Sequence, residues 1–204
     1  RSGHALGAVD LHRSIVKSSN VYYYMLANDM GVNLIHDFMK PLGFGQVTGI
    51  DIPGETRGVL PSTDWKRRTY KRPEQQRWYA GETISLGIGQ GYNNFTMLQL
   101  ASATATVAAG GVHHTPHLVK AQQDAISLQV KELPQPPGQS MGYKPDHVAA
   151  VKRGMVGVTL EGTSRGVFAG APYLSGGKTG TAHAGSSGQQ SRHNAAKLAA
   201  HRRD

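Results

Sequence analysis

The residues best suited to chemistry lie near the two ends of this 204-residue chain. Lys178-Thr179-Gly180-Thr181 puts a cation, two hydroxyls and a residue without a side chain in one short run. On an extended segment such a set would bind a carboxylate, and the glycine would let a ligand's backbone lie alongside. A plain polar strand or turn accounts for the same residues, so K-T-G alone assigns nothing. Near the start, SIVKSSN holds two further patterns: S-x-x-K in Ser14 and Lys17, and S-x-N in Ser18 and Asn20. On a helix, Ser14 and Lys17 would share a face, the minimum that an activated serine needs. Ser18 and Asn20 add a hydroxyl and an amide.

The elements that must position these groups follow from the pattern of apolar and turn-forming residues. Asn20, or else Ser19, caps a helix over VYYYMLANDMG, with Val21, Tyr24 and Met25 on one face and Gly31 as its stop. A short helix over 34–39 ends before Pro41. The Gly- and Pro-rich stretch that follows suits turns and a short strand in which Ile50 and Ile52 alternate. Thr96 and Gln99 form a capping box, and the small residues of LASATATVAAGG predict a helix buried on every side and ended at Gly110-Gly111. Residues 121–145 turn to Gln and Pro and read as a surface excursion. Pro145 opens another helix, striped by Val148, Val151, Met155 and Val158 and stopped at Gly162, so Glu161-Gly162-Thr163 reads as a helix end. YLSGGKTGTA is expected as a glycine-bearing strand, 183–194 as loop, and NAAKLAAHRRD as a basic helical tail. No internal repeat is visible.

Composition narrows the class. A hydrophobic share of 38% with 26 glycines is that of a folded chain, and the length suits one domain or a piece of one. The net charge of +9 would suit a polyanionic partner. Lys66, Arg67, Arg68, Lys71, Arg72 and Arg77 cluster in WKRRTYKRPEQQRW among Trp65, Tyr70 and Trp78, as in a single-strand-binding surface, but no recognised nucleic-acid module surrounds them. The stretch reads as a solvated or membrane-facing loop. Zero cysteines exclude disulfides, zinc thiolates and a thiol nucleophile. Residues 83–119 carry no Asp, Glu, Lys or Arg, yet their Gln, Asn and Gly suit a protein interior rather than a membrane, so any anchor lies outside this chain. GIGQG hints at a nucleotide loop, but Tyr92 stands where its last glycine belongs and no Walker lysine follows. His113, His114 and His117 have no carboxylate or cysteine close in sequence, and no metal is expected.

S-x-N, G-Q-G before a capped helix, and K-T-G, in that order, match the serine penicillin-recognising enzymes. LGFGQVTGIDIPGETRGVLPS, ISLGIGQGYNNFTMLQLASATATVAAGGVHHTPHLV and GGKTGTA closely resemble the transpeptidase domain of class B penicillin-binding proteins. SSNVYYYMLANDMG and NAAKLAAHRRD are similar to the elongation-specific type of Gram-negative rods. The resemblance implies an α+β fold of the serine β-lactamase/transpeptidase kind, an antiparallel sheet flanked by helices. Residues 1–204 would be an incomplete domain holding the helical part and the K-T-G strand.

The same resemblance implies a D-Ala-D-Ala transpeptidase that cross-links peptidoglycan stem peptides through a serine acyl-enzyme and is acylated by β-lactams. In that family the nucleophile lies some tens of residues before S-x-N, reached across a cleft. The S-x-x-K of Ser14 and Lys17 abuts S-x-N with no intervening residue, so Ser14 is read as a chance match, with the nucleophile expected upstream, the remaining strands downstream, and this fragment inactive alone. Ser18 would relay a proton, Asn20 would bond the substrate's amide backbone, and Lys178 would supply positive field and keep the Ser18 proton mobile. Thr179 and Thr181 would hold the terminal carboxylate beside Gly180, with the Thr181 N–H as half of an oxyanion hole. No metal or organic cofactor is implied. The partners would be the stem peptide, β-lactams and a glycan-polymerising member of the elongation machinery, at the periplasmic face of the inner membrane, with no nucleic acid. A non-catalytic penicillin-binding-like scaffold and a basic nucleic-acid-binding module are the competing readings.

Overall fold

The structure is a computed structural model that describes residues 6–180. Asp10 caps α1 (Leu11–Val16), its carboxylate accepting the Arg13 amide at 2.7 Å. Ser19 caps α2 (Asn20–Met39), which settles the choice between Ser19 and Asn20. Gly31 (φ 73°, ψ 159°) interrupts α2, so the expected stop is a kink from which a second helical stretch runs on at once. Only a residue without a Cβ enters that conformation cheaply. A 3₁₀ turn, Lys40–Leu42, carries Pro41 and ends at Gly43.

Between the two Gly-rich stretches lie three short helices: α3 (Thr63–Thr69), α4 (Pro73–Gln76) and α5 (Ala80–Leu86). The first begins at Ser62, whose hydroxyl accepts the Trp65 amide at 3.0 Å. The expected strand around Ile50 and Ile52 does not form. The nearest pairing is an isolated bridge between Val59 and Asn94, and Ile52 is exposed. This stretch is held by side chains instead. Gln99, fully buried, donates to the carbonyls of Gln46 and Arg57 at 2.5 and 2.7 Å, and Asp51 accepts the amides of Leu118 and Val119 at 2.8 Å each. Those two amides, Val119 first, hold the Asp51 carboxyl below its ordinary value.

The capping box appears as read, at the start of α6 (Met97–Ala108). Its helix is not buried all round. Gln99, Ala103 and Thr106 form one buried face, while Met97 and Leu100 are exposed, because no described element covers the other sides. Two small antiparallel ribbons follow. β1 (Val112–His113) pairs with β4 (Gln139–Ser140), Val112 opposite Ser140, and β2 (Ala121–Gln123) pairs with β3 (Val130–Glu132), Ala121 opposite Glu132. The second ribbon is almost wholly exposed. α7 (Pro145–Leu160) opens with Pro145 as read, and α8 (Arg165–Phe168) is a single turn.

Two apolar centres hold these pieces. Leu42, Phe44, Leu60 and Ala103 gather with Met39, Phe95 and Tyr143, the Phe44 and Phe95 rings lying 4.4 Å apart. The other centre joins α1 to α7, with Ile15 and Val16 of α1 and Val158 of α7 all buried. The helices approach closely because Gly154 and Gly157 face α1. A Cβ at either would lie 2.7 Å from Ile15 Cδ1 or 2.6 Å from Val16 Cγ2. Each such buried aliphatic side chain contributes about 1.5–3 kcal/mol, so this contact anchors the residues that follow α1. The Val21 and Met25 face of α2 is open instead, 65% and 64% exposed. The strand expected from Tyr173 onward carries no ladder among the described residues. A strand exists only through its neighbour's hydrogen bonds, and those made here go to α7.

Candidate functional site

Ser18 owes its position to two helix ends placed back to back. At the end of α1 the Ser18 amide bonds to Ile15 O at 3.2 Å and the Ser19 amide to Ser14 O at 3.0 Å. That is the paired closure of a Schellman motif, in which the residue after the cap takes the left-handed conformation and is usually glycine. Here it is Ser18, with φ 53°. Ser19 turns at once to cap α2, its Oγ accepting the Tyr22 amide at 3.5 Å. Asn20, first residue of α2 and half-buried, rests its amide 3.5 Å from the Tyr24 hydroxyl.

The lysine-bearing segment reaches this turn from the other end of the chain. α7 holds it through two bonds, Thr159 Oγ1 to Ser175 O at 2.7 Å and the Gly177 amide to Met155 O at 3.0 Å. Lys178 Nζ then donates to Ser18 Oγ at 2.7 Å, across 160 residues of sequence, and to Thr179 O at 2.9 Å. An ammonium that donates to a hydroxyl oxygen leaves the hydroxyl proton pointing elsewhere and favours its release. Thr179 Oγ1 lies 2.9 Å from Thr163 Oγ1, and among the described residues a side chain at Gly180 would meet nothing within 4 Å. Ser18, Asn20, Lys178, Thr179 and Gly180 thus lie on two facing segments. Thr181 lies outside the described residues.

The S-x-x-K spacing does not assemble into a dyad. Ser14 is fully buried, its hydroxyl 2.7 Å from Leu11 O and 3.1 Å from the Tyr23 hydroxyl. Burial pushes the Tyr23 phenol above its ordinary value, so it stays neutral. Lys17 points away, donating to Glu161 O at 3.1 Å.

The basic, aromatic stretch needs the main correction. Lys66, read with its neighbours as part of a solvated or membrane-facing loop, is only 3% exposed. Its ammonium donates to Glu82 Oε1 at 2.5 Å and Arg77 O at 2.7 Å, with the Trp78, Tyr79 and Tyr92 ring centres 5.3–5.4 Å away. Cation and rings attract where water is excluded. Glu82 also accepts the Tyr92 hydroxyl and the Tyr79 amide, both at 2.9 Å. The partner that neutralises Lys66 stands on α5, and nothing in the local spacing marked it. The first glycine of GIGQG has a packing role. A Cβ at Gly87 would lie 2.4 Å from Tyr23 O, so α5 closes directly onto α2. His113 bonds through Nδ1 to Thr106 Oγ1 at 3.2 Å, and among the described residues no three metal-binding side chains gather.

Comparison with known proteins places this arrangement. The family model of the penicillin binding protein transpeptidase domain matches residues 2–201. The peptidoglycan D,D-transpeptidase MrdA of Acinetobacter baumannii is 40% identical over 97% of this chain, which spans 28% of that protein's length. Pseudomonas aeruginosa PBP2, solved in complex with WCK 5153, superposes with a TM-score of 0.73 and 38% identity over 86% of this chain and 38% of the other. Helicobacter pylori PBP2, solved in complex with MreC, superposes with a TM-score of 0.71 and 27% identity over 86% of this chain and 31% of the other.

Proposed function

This chain belongs to the penicillin-binding protein transpeptidase family, and from that premise we propose that it is part of a peptidoglycan D,D-transpeptidase of the elongation-specific, penicillin-binding protein 2 type. The observation that carries the reading is the Lys178–Ser18 bond of 2.7 Å between the two sequence motifs.

In the proposed reaction a serine elsewhere in the protein attacks the carbonyl between the last two D-alanines of a stem peptide. The C–N bond breaks, the terminal D-alanine leaves as an amine, and the acyl group rests on the serine as an ester. A neighbouring stem's amine then displaces the serine, and a new amide replaces the ester. Both halves move a proton between the serine oxygen and an amine nitrogen. Ser18 carries it, taking one hydrogen as it gives up its own, while the Lys178 charge stabilises the intermediate loss of a proton. Asn20 bonds the peptide backbone. Thr179 and Thr181 hold the free carboxylate, Gly180 leaves room for the chain, and the Thr181 amide donates to the oxyanion. Covalent catalysis of this kind needs neither metal nor organic cofactor. β-Lactams enter by the same route, their ring amide in place of the dipeptide bond.

The protein works at the periplasmic face of the inner membrane, through an anchor outside the described residues, where no helix is long and apolar enough to cross a membrane. A glycan-polymerising enzyme of the elongation machinery is its partner, a reading supported by a similar chain, 32% identical with a TM-score of 0.68, solved in a peptidoglycan synthase complex that coordinates polymerization and crosslinking.

Fluorescent-penicillin labelling tests this. The protein extended at both ends should label, and should lose labelling with Lys178→Ala. The 204-residue chain should not label. Failure of the extended protein to label, or labelling of the short chain that Ser14→Ala abolishes, overturns the assignment.

A further inference from the structure

Glu161-Gly162-Thr163, which the sequence presents as no more than the end of α7, touches both walls of the site. Toward the Ser18 side, the Thr163 amide donates to Val16 O at 3.3 Å and Glu161 O accepts Lys17 Nζ at 3.1 Å. Gly162 lets the chain press in, since a Cβ there would lie 2.4 Å from Val16 O. The Ser164 amide closes the turn on Val158 O at 3.1 Å. Toward the lysine-bearing side, Thr163 Oγ1 lies 2.9 Å from Thr179 Oγ1. The turn is held by backbone bonds that do not involve Thr179, and both threonines are exposed.

Resting on the transpeptidase reading, we infer that Thr163 is a positioning residue for the substrate carboxylate, acting through the Thr179 hydroxyl. Each threonine hydroxyl owns one hydrogen. If Thr179 is to donate its hydrogen to a carboxylate, its oxygen is best satisfied by accepting one, and Thr163 is placed to give it. An anion at Thr179 polarises the pair into a chain, Thr163 O–H to Thr179 O–H to carboxylate, in which each bond strengthens the next. Without Thr163 the Thr179 hydroxyl turns freely and accepts from water. The ligands affected are those with a free carboxylate next to the scissile amide, stem peptides and penicillins alike. The turn also spans from Val16 and Lys17, just before Ser18, to Thr179, so the proton-relaying and carboxylate-binding walls share one support.

The test uses the full-length protein and stopped-flow acylation by a penicillin and by the methyl ester of the same penicillin. Thr163→Val keeps the shape and removes the hydroxyl. It should lower the second-order acylation rate by the free acid on the order of 5-fold, through weaker initial binding with the saturating rate little changed. The ester should acylate as in the wild type, which also shows that the variant is folded, and Thr163→Ser should restore the free-acid rate. An equal loss with acid and ester, an unchanged acid rate, or no rescue by serine overturns the inference and leaves the transpeptidase reading standing. A wild-type protein that takes up no penicillin overturns both.

Discussion

Replacing Ser18 by glycine and by alanine separates its two burdens, the hydroxyl and the backbone. Both substitutions remove the bond to Lys178 Nζ, so that loss cancels between them. They differ in the left-handed conformation at φ 53°. An L-residue there costs about 1–2 kcal/mol relative to glycine, and the greater freedom of glycine in the unfolded chain offsets about 0.5–1 kcal/mol. Ser18→Gly should therefore be the more stable of the two by about 0.5–1 kcal/mol. At an ordinary right-handed position the order would be reversed by a similar amount. The sign decides, so the comparison does not depend on an exact magnitude. Urea denaturation of the longer protein, with equal m-values confirming the same unfolding transition, gives the difference from the midpoints. Melting temperatures should follow by about 1–4 °C. Neither variant should label with penicillin, so Ser18→Gly should be the steadier of two inactive proteins. An alanine variant as stable as the glycine variant, or more so, refutes the view that strain is held at Ser18.

Lys66→Met should destabilise the protein by about 2 kcal/mol, less than the roughly 3–5 kcal/mol of a fully buried pair, because the Glu82 side chain is still 23% exposed. Burial is the largest influence on the Glu82 carboxyl and raises its pKa, but the bonds from Lys66, the Tyr79 amide and Tyr92, with the Lys66 charge, outweigh it and leave the pKa below 4.5. A carboxyl with a depressed folded-state pKa adds stability that is present above its unfolded value and lost as pH falls through the folded one. Denaturation midpoints between pH 6 and pH 3 should thus fall less steeply in Lys66→Met than in the wild type, and an unchanged slope would remove the pair from the account. Ser14→Ala deletes a buried hydroxyl with two contacts and should cost about 1 kcal/mol in stability. Penicillin acylation of the longer protein should stay at its wild-type rate; a loss in proportion to a missing nucleophile would reinstate Ser14.

The capping signals were legible in the sequence because they are local. Thr96 with Gln99 and Pro145 at the head of α7 each depend on residues within one helical turn and formed where they were read, while the cap of α2 fell on Ser19 rather than on Asn20. The pairing of S-x-N with K-T-G was legible too, though only through resemblance, since no local property joins residues 160 positions apart. Tertiary structure alone decided the rest. It buried Lys66, whose position in a run of basic residues argued for solvent, because its neutralising carboxylate sits on α5. It left one face of α6 buried and the others open, since small residues permit close packing without supplying a partner. It denied the K-T-G segment a ladder among the described residues and tied it to α7. It also made Thr163, seemingly a helix end, the neighbour of Thr179. Composition and spacing specify what a residue can bond to within its own turn of chain, whereas burial, charge neutralisation and contact across a cleft depend on which distant group the fold brings near.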